Sequence, residues 1–411
     1  MAMTLADLKG LTVGACVSGG LDSRTIAKVM VEAGVKVVAF SADLGQPDEK
    51  NINDIKKRMA PCGVDTVIID LKEAMAEACF QVVEAQAMYD GGYWNSTGIA
   101  RAVTVRGLIP EMKARGCTVL VHGATGRGND QMRFERYTNV LAPAMKVYSP
   151  WRDAELLKKF AGRTQMVEFL AQFGIQAFVG AKKKYSTDAN LAGLSHEAED
   201  LESMETSMLI VEPTMGVWPR QAPDRIEKVK VRFAKGRAVQ INGKDVTPVE
   251  AMKLANKLAG RNGIGMKHAL ENRIIGTKSR GVYEAPGMEL LGTCLRYVYQ
   301  ATMDRRAGLL FGPISKLVAA HVCDAGGARR DRHLLQARLG HGRGGPVQGQ
   351  HLLQCARGLQ GLDLQRGRLV DGGQRRPEPG QLAGLRGDPE RRGQDVGQGG
   401  ADRHEVSQAP G

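Results

Sequence analysis

Leu11-Thr12-Val13-Gly14-Ala15-Cys16-Val17-Ser18-Gly19-Gly20-Leu21-Asp22-Ser23 is the stretch whose reading decides the fold. A short apolar run that ends in a glycine pair reads as a buried strand entering a tight turn. Residues 23–33 then place Ile26, Val29, Met30 and Ala33 at helical spacing and stop at Gly34. A second apolar run, Val35–Phe40, follows at once, and Asp65–Asp70 and Thr118–His122 are further strand candidates separated by amphipathic stretches. Strands alternating with helices imply βαβ units, hence an α/β fold with a parallel sheet covered on both faces. Ligands of such sheets sit beyond the carboxyl ends of the strands, so the segments after the first, second and fourth strands are the places to look.

Beyond Trp151 the pattern changes. Residues 153–173 read as one helix, Gly174–Asp188 as a polar, lysine-rich passage, and Lys228–Phe233 with Ala238–Ile241 as a β-hairpin. A helix over 248–259 ends at Gly260. The expected organisation is a nucleotide-binding domain over 1–175, a second α+β domain over 176–320, and a Gly/Arg/Gln-rich tail over 321–411.

The chain has 411 residues, 57 Lys+Arg against 44 Asp+Glu, and 43% hydrophobic residues, enough for a packed core. The average hides a break. Residues 321–411 contain no Lys, Phe, Tyr, Trp, Ile, Asn, Met or Thr, yet hold 20 of the 51 glycines. Of the missing types, Lys, Phe, Tyr, Ile, Asn and Met share AT-rich codons, which suggests a GC-rich DNA read in an unintended frame from about residues 318–325. A tail so poor in aromatic and β-branched residues is expected to be largely unstructured. Its Gly342-Arg343-Gly344-Gly345 run has no aromatic residue nearby to stack on bases, so nucleic acid is not expected as a partner. The N-terminal residues lack a secretory pattern, and no apolar run approaches the roughly 18–20 residues of a membrane helix. Seven scattered cysteines form no C-x-x-C pair, against a disulfide framework or a structural zinc site. A cytoplasmic location follows as the expectation.

Glycines let a backbone approach phosphate closely, and amides at a helix N-terminus point at an anion. Ser18-Gly19-Gly20-Leu21-Asp22-Ser23, set between strand and helix, suits that task, with Asp22 placed either to position magnesium or to cap the helix. No Gly-Lys-Ser/Thr follows, so it is not a Walker A loop. The string resembles the pyrophosphate-binding PP-loop of enzymes that cleave ATP between its α and β phosphates. Five later strings narrow the resemblance: Ala42–Glu49, His122–Phe134, Tyr185–Leu191, His196–Glu202 and Glu271–Gly287. Together they resemble the argininosuccinate synthase family from about residue 10 to about residue 320.

That resemblance implies ligation of citrulline to aspartate, with ATP and Mg2+ required, through a citrullyl-AMP intermediate and usually in a homotetramer. By the same resemblance, Ser18, Gly19, Gly20, Asp22, Ser23, Ala42, Gly123 and Asp188 bind the nucleotide, the last near its magnesium. Thr125, Asn129, Asp130 and Arg133 bind aspartate or a substrate carboxylate, and Tyr93, Thr97, Ser186, Ser195, Glu197, Glu271 and Tyr283 line the citrulline site. Asp22, Asp130 and Arg133 are the expected catalytic groups. No dedicated metal site is expected, because no H-E-x-x-H or comparable spacing occurs. His122 and His196 read as structural, Arg24 as solvent-facing, and Lys182-Lys183-Lys184 as either a phosphate contact or a solvated run. Glu271-Asn272-Arg273, taken alone, suits a solvated helix face. Two alternatives stand beside this reading: a nucleotide-binding body that no longer turns over, and another PP-loop enzyme such as a tRNA sulfurtransferase.

Overall fold

The computed structural model describes residues 3–124, 128–176, 185–325, 362–365 and 368–371. In the first half of the chain, strands β1 (Thr12–Cys16), β2 (Lys36–Asp43), β3 (Asp65–Asp70), β4 (Val119–His122) and β5 (Lys146–Tyr148) form a parallel sheet in the order β3-β2-β1-β4-β5. Helices α1 (Leu21–Glu32), α2 (Asp54–Met59), α3 (Lys72–Glu84), α4 (Ser96–Ala114) and α5 (Asp130–Leu141) connect them. Alternate residues of each strand feed opposite faces, as the two-residue period requires. Val13, Ala15, Val119 and Val121 join α1 residues Ile26, Val29 and Met30 in one apolar cluster. Phe40, Ala42 and Leu120 join the α3 and α4 residues Met75, Phe80, Leu108 and Met112 in another. Gly14 faces that second layer: a Cβ there would lie 2.9 Å from the Met112 side chain, so the glycine lets α4 press against the central strand.

The helix expected over 153–173 is two, α6 (Ala154–Lys159) and α7 (Arg163–Ala171). Gly162 between them is fully extended at φ −169°, which interrupts the helical run. Phe160 and Phe169 meet edge-on across this break at 5.4 Å.

The second half carries a four-stranded antiparallel sheet in the order β12-β13-β7-β6, built from β6 (Ser186–Asn190), β7 (Gly193–Glu197), β12 (Met266–Asn272) and β13 (Lys278–Glu284). Glu271-Asn272-Arg273 therefore continues a strand and is not a helix face. Between these pairs lie β8 (Glu227–Val229), β9 (Val231–Ala234), β10 (Arg237–Ile241), β11 (Lys244–Asp245) and helix α8 (Pro248–Gly260). The expected hairpin forms as β9–β10, turning on Lys235 and Gly236 with φ of 50° and 79°. The run from 228 is not one strand, however: Lys230 breaks it, donating its N–H to Asn242 Oδ1 at 2.9 Å. Helices α9 (Pro286–Thr302) and α10 (Arg305–Cys323) follow, and α9 packs with α8 into the same cluster as α3 and α4. Trp94 is fully buried there and donates Nε1–H to Glu289 at 2.7 Å.

The tail, expected to be largely unstructured, contributes two short strands. Strands β14 (Leu362–Gln365) and β15 (Arg368–Asp371) form a hairpin that adds to β8. The remainder of 326–411, like the lysine run at 182–184, lies outside the described residues. Among the described residues no helix is long and apolar enough to cross a membrane.

Gly193 tests this packing. A Cβ there would fall 2.3 Å from the Glu284 carbonyl oxygen, a backbone atom of the paired strand that cannot swing away. Gly193→Ala should lower stability by about 1–3 kcal/mol, the usual cost of overpacking, seen as a lower urea midpoint at unchanged slope. An unaltered midpoint would show that β7 and β13 are less tightly apposed than described.

Candidate active site

Strand β1 pairs with β2 on one side and β4 on the other, with Cys16 opposite both Phe40 and His122. The loops after β1 and β4 therefore leave side by side. Ser23, His122 and Gly123 line one small pocket there with Cys16, Val17 and Ile26. The glycine loop is shaped by its own residues. Gly19 takes φ +72°, Gly20 precedes the first turn of α1, and the Ser18 N–H donates to Ser23 Oγ at 3.1 Å. A Cβ at Gly19 would lie 2.8 Å from Arg58 Nε, so a guanidinium stands against the loop. Arg58 is held in place by Glu49 at 2.5 Å. Burial pushes the Asp22 carboxyl upward, with Arg163 opposing the shift. Arg24 is half-buried, and its Nη1 donates to the Gln176 carbonyl at 2.9 Å in an exposed contact. Ala42 is the penultimate residue of β2, and its carbonyl accepts from Gln46, which also takes the Leu44 N–H.

His122 is 1% exposed, stacks on Phe134 at 4.9 Å, and lies 3.0 Å from Ser149 Oγ. Burial drives its pKa down to about 4, so it is neutral near pH 7. His196 sits on the far face of its sheet, 2.8 Å from Glu284. Both contacts suit structural histidines.

The antiparallel register explains how residues distant in sequence converge. Asp188 pairs with Ser195, Ser195 with Tyr283, Ser186 with Glu197, and Glu197 with Gly281. Two-residue alternation puts Ser186, Asp188, Ser195, Glu197, Gly281, Tyr283 and Glu271 on one face of the sheet. Helix α4 lies on that face: Thr97 Oγ1 is 3.4 Å from Ser195 Oγ, and Asn190 donates to the Ser96 carbonyl at 3.2 Å. Tyr93 stacks on Tyr283 with ring centroids 3.8 Å apart, and its hydroxyl accepts the Thr97 N–H at 2.9 Å. Tyr283 donates to Glu271 at 2.7 Å. Gly281 makes this reach possible, since a Cβ there would lie 2.4 Å from the Tyr283 hydroxyl.

Two residues of α5 and one of α4 complete the site. Arg101 Nε and Nη2 lie 2.9 and 2.7 Å from Asp130 Oδ2, and Nη2 also lies 2.7 Å from Asp188 Oδ2. Arg133 Nη1 holds the other Asp130 oxygen at 3.0 Å. Burial alone would push the Asp130 carboxyl up, but these two guanidiniums hold it below the ordinary range. Asn129 is the N-cap residue of α5, but its Oδ1 accepts the Ile274 N–H at 2.8 Å and makes no capping bond to that helix. Arg133 does not point at open space, as its expected carboxylate contact would suggest. Its Nε donates to the Cys323 carbonyl at 2.9 Å, at the end of α10. Thr125 lies outside the described residues. Arg58 and Arg101 were not foreseen. Arg101 had a signal, because it follows Thr97 by four residues and so shares its helix face; Arg58 had none.

Burial and the nearby charges of Glu271, Asp130 and Asp188 push Glu197 up to about 7, with Arg133 opposing. Glu271 is 5% exposed and also raised by burial, and its Oε2 has no hydrogen-bond partner among the described residues. The face is thus acidic and hydroxyl-rich, chemistry that suits an ammonium at one point and a carboxylate at another. Burial pushes the Cys62 thiol up to about 11 and those of Cys16, Cys294 and Cys323 up to about 12, the opposite of what a sulfur-transfer nucleophile needs.

Two family models match the chain. Residues 12–176 match the argininosuccinate synthase N-terminal HUP domain, and residues 185–322 match the argininosuccinate synthase C-terminal domain.

A carboxyl raised in the folded state stabilises the fold at low pH and ceases to do so as pH rises through the folded pKa. Glu197→Gln should therefore unfold near the parent midpoint at pH 5, and at a higher temperature than the parent by pH 8. The gap should level off above about pH 7. A pH-independent gap in thermal scans would place the shifted group elsewhere.

Proposed function

Because the chain belongs to the argininosuccinate synthase family, we propose that it joins citrulline to aspartate at the expense of ATP. The observation that carries the reading is the shared sheet face. Glu197, Glu271, Ser195 and Tyr283 lie together on it, and Arg101 ties its Asp188 to Asp130 of the nucleotide-binding half.

In this reading Ser18, Gly19, Gly20, Asp22 and Ser23 cradle the phosphates, with Ala42 and Gly123 beside the nucleotide and Arg58 adding positive charge at the loop. Glu197 and Glu271 receive the ammonium of citrulline, whose carboxylate meets hydroxyls among Thr97, Ser186 and Ser195. The stacked Tyr93 and Tyr283 wall the site. The ureido oxygen attacks the α-phosphorus, forming an O–P bond as the bond to the β-phosphate breaks and pyrophosphate leaves. The aspartate amine, oriented by Asp130 and Asn129, then attacks the ureido carbon; a C–N bond forms and AMP departs with the oxygen. Positioning and charge neutralisation do most of this work, which is why no covalent nucleophile is needed.

Among the described residues no three His, Cys, Asp or Glu side chains gather as a metal cage. Hard carboxylate oxygens at Asp22 and Asp188 nevertheless fit magnesium that arrives with the nucleotide, since that ion commonly takes one or two carboxylates plus phosphates. Bound there, it would neutralise phosphate charge. Assembly into a tetramer belongs to the same reading, and Leu309, Leu310 and Leu317 of α10, each 60–68% exposed, supply apolar surface for other copies to cover.

One contact favours a second reading, binding without turnover. Arg133 is engaged by the Cys323 carbonyl, which a substrate carboxylate would have to displace. Pyrophosphate release from ATP, with citrulline and aspartate each omitted in turn, separates the two. Release that requires citrulline supports the ligase, whereas nucleotide binding with no release supports the second reading. In an active chain, Asp130→Asn should keep citrulline-dependent ATP–pyrophosphate exchange while slowing argininosuccinate formation by about a hundredfold or more; equal loss of both would misplace Asp130.

A further inference from the structure

Arg101 belongs to no motif in the sequence, and the resemblance assigned it no role, yet it occupies the centre of the site's charges. Its side chain is 17% exposed and contacts two carboxylates from different parts of the fold, Asp130 at the start of α5 and Asp188 on β6. We propose that Arg101 is a positioning residue that fixes Asp130 and Asp188 against one nitrogen, so that the nucleotide and the incoming amino acid meet at a set separation; this rests on the functional reading above.

Three features of the geometry support it. Asp130 is held through both oxygens, Oδ2 by Arg101 and Oδ1 by Arg133, so losing Arg101 leaves a carboxylate tethered at one end and free to turn. Asp188 sits on the sheet face beside Glu197 and Glu271, and among the described residues Arg101 is the cation in ion-pair contact with it. Removing that cation would leave Asp188 uncompensated near two other acids, where it would repel a polyphosphate. Finally, Arg101 brings two different nitrogens to Asp130 while one of them also reaches Asp188, a fork that a lysine ammonium cannot reproduce.

The test compares the parent full-length chain with R101Q and R101K by calorimetric titration with MgATP and by steady-state kinetics with aspartate varied. R101Q should weaken MgATP binding and raise the aspartate KM, each about tenfold or more, with kcat changed less than about threefold. R101K keeps the charge but not the fork, so it should bind MgATP within about threefold of the parent and still show a raised aspartate KM. A purely structural arginine would lower kcat and thermal midpoint together and leave both affinities alone; that result, or equal behaviour of R101K and R101Q, overturns the proposal. Should R101Q fail to fold, the split in R101K decides alone. A parent chain that binds MgATP but makes no product defeats the functional reading, while the parent-to-R101Q ratio of MgATP dissociation constants still judges Arg101. A parent with no MgATP affinity overturns both.

Discussion

Strand β1 lies between β2 and β4, and the chain order reverses on either side of it. Every other feature of the site depends on that placement. Two adjacent parallel strands whose connections leave in opposite directions open a crevice at their carboxyl ends, and here the glycine loop enters it from β1 while Gly123 enters from β4. Gly14 lets α4 press on the back of the sheet. The same helix then carries Thr97 and Arg101 across to the antiparallel sheet. One helix thus joins the carboxyl edge of the parallel sheet to one face of the antiparallel sheet, the two places that the proposed function gives to phosphates and to amino acids.

Electrostatics divides that face into two parts. Arg101 and Arg133 against Asp130 and Asp188 make a balanced, hydrogen-bonded group, which is how charges are kept in a largely buried place. Among the described residues Glu197 and Glu271 have no such guanidinium partner, and burial raises both carboxyls. Their cost in the free protein is what a bound cation would relieve, so the same imbalance that weakens the fold near neutral pH prepares the site for an ammonium group. Stability and recognition are opposed here.

The parallel sheet was legible because its strands are continuous apolar runs bounded by glycine turns, and the site strings were legible because each is a short contiguous stretch that carries the family resemblance. What the sequence did not disclose depends on register or on distant contacts. Ser186, Ser195, Glu197, Glu271 and Tyr283 belong to four strands, and only their antiparallel pairing places them on one face. Arg58 reaches Gly19 across the sheet edge with no local pattern to announce it. Arg133 seemed free for a carboxylate until α10 brought the Cys323 carbonyl to it. The split of 153–173 and the break at Lys230 were missed because helical spacing and β-propensity carry no information about Gly162 taking an extended φ or an Asn242 side chain capturing a strand amide.

The central claim is that the ureido oxygen of citrulline is transferred to the α-phosphate before aspartate adds. Supplying citrulline labelled with oxygen-18 at that oxygen, with ATP and aspartate, and weighing the AMP by mass spectrometry tests it directly. The account predicts one heavy oxygen in each AMP formed, derived from citrulline and not from solvent. AMP that forms in step with product yet carries no label would contradict it.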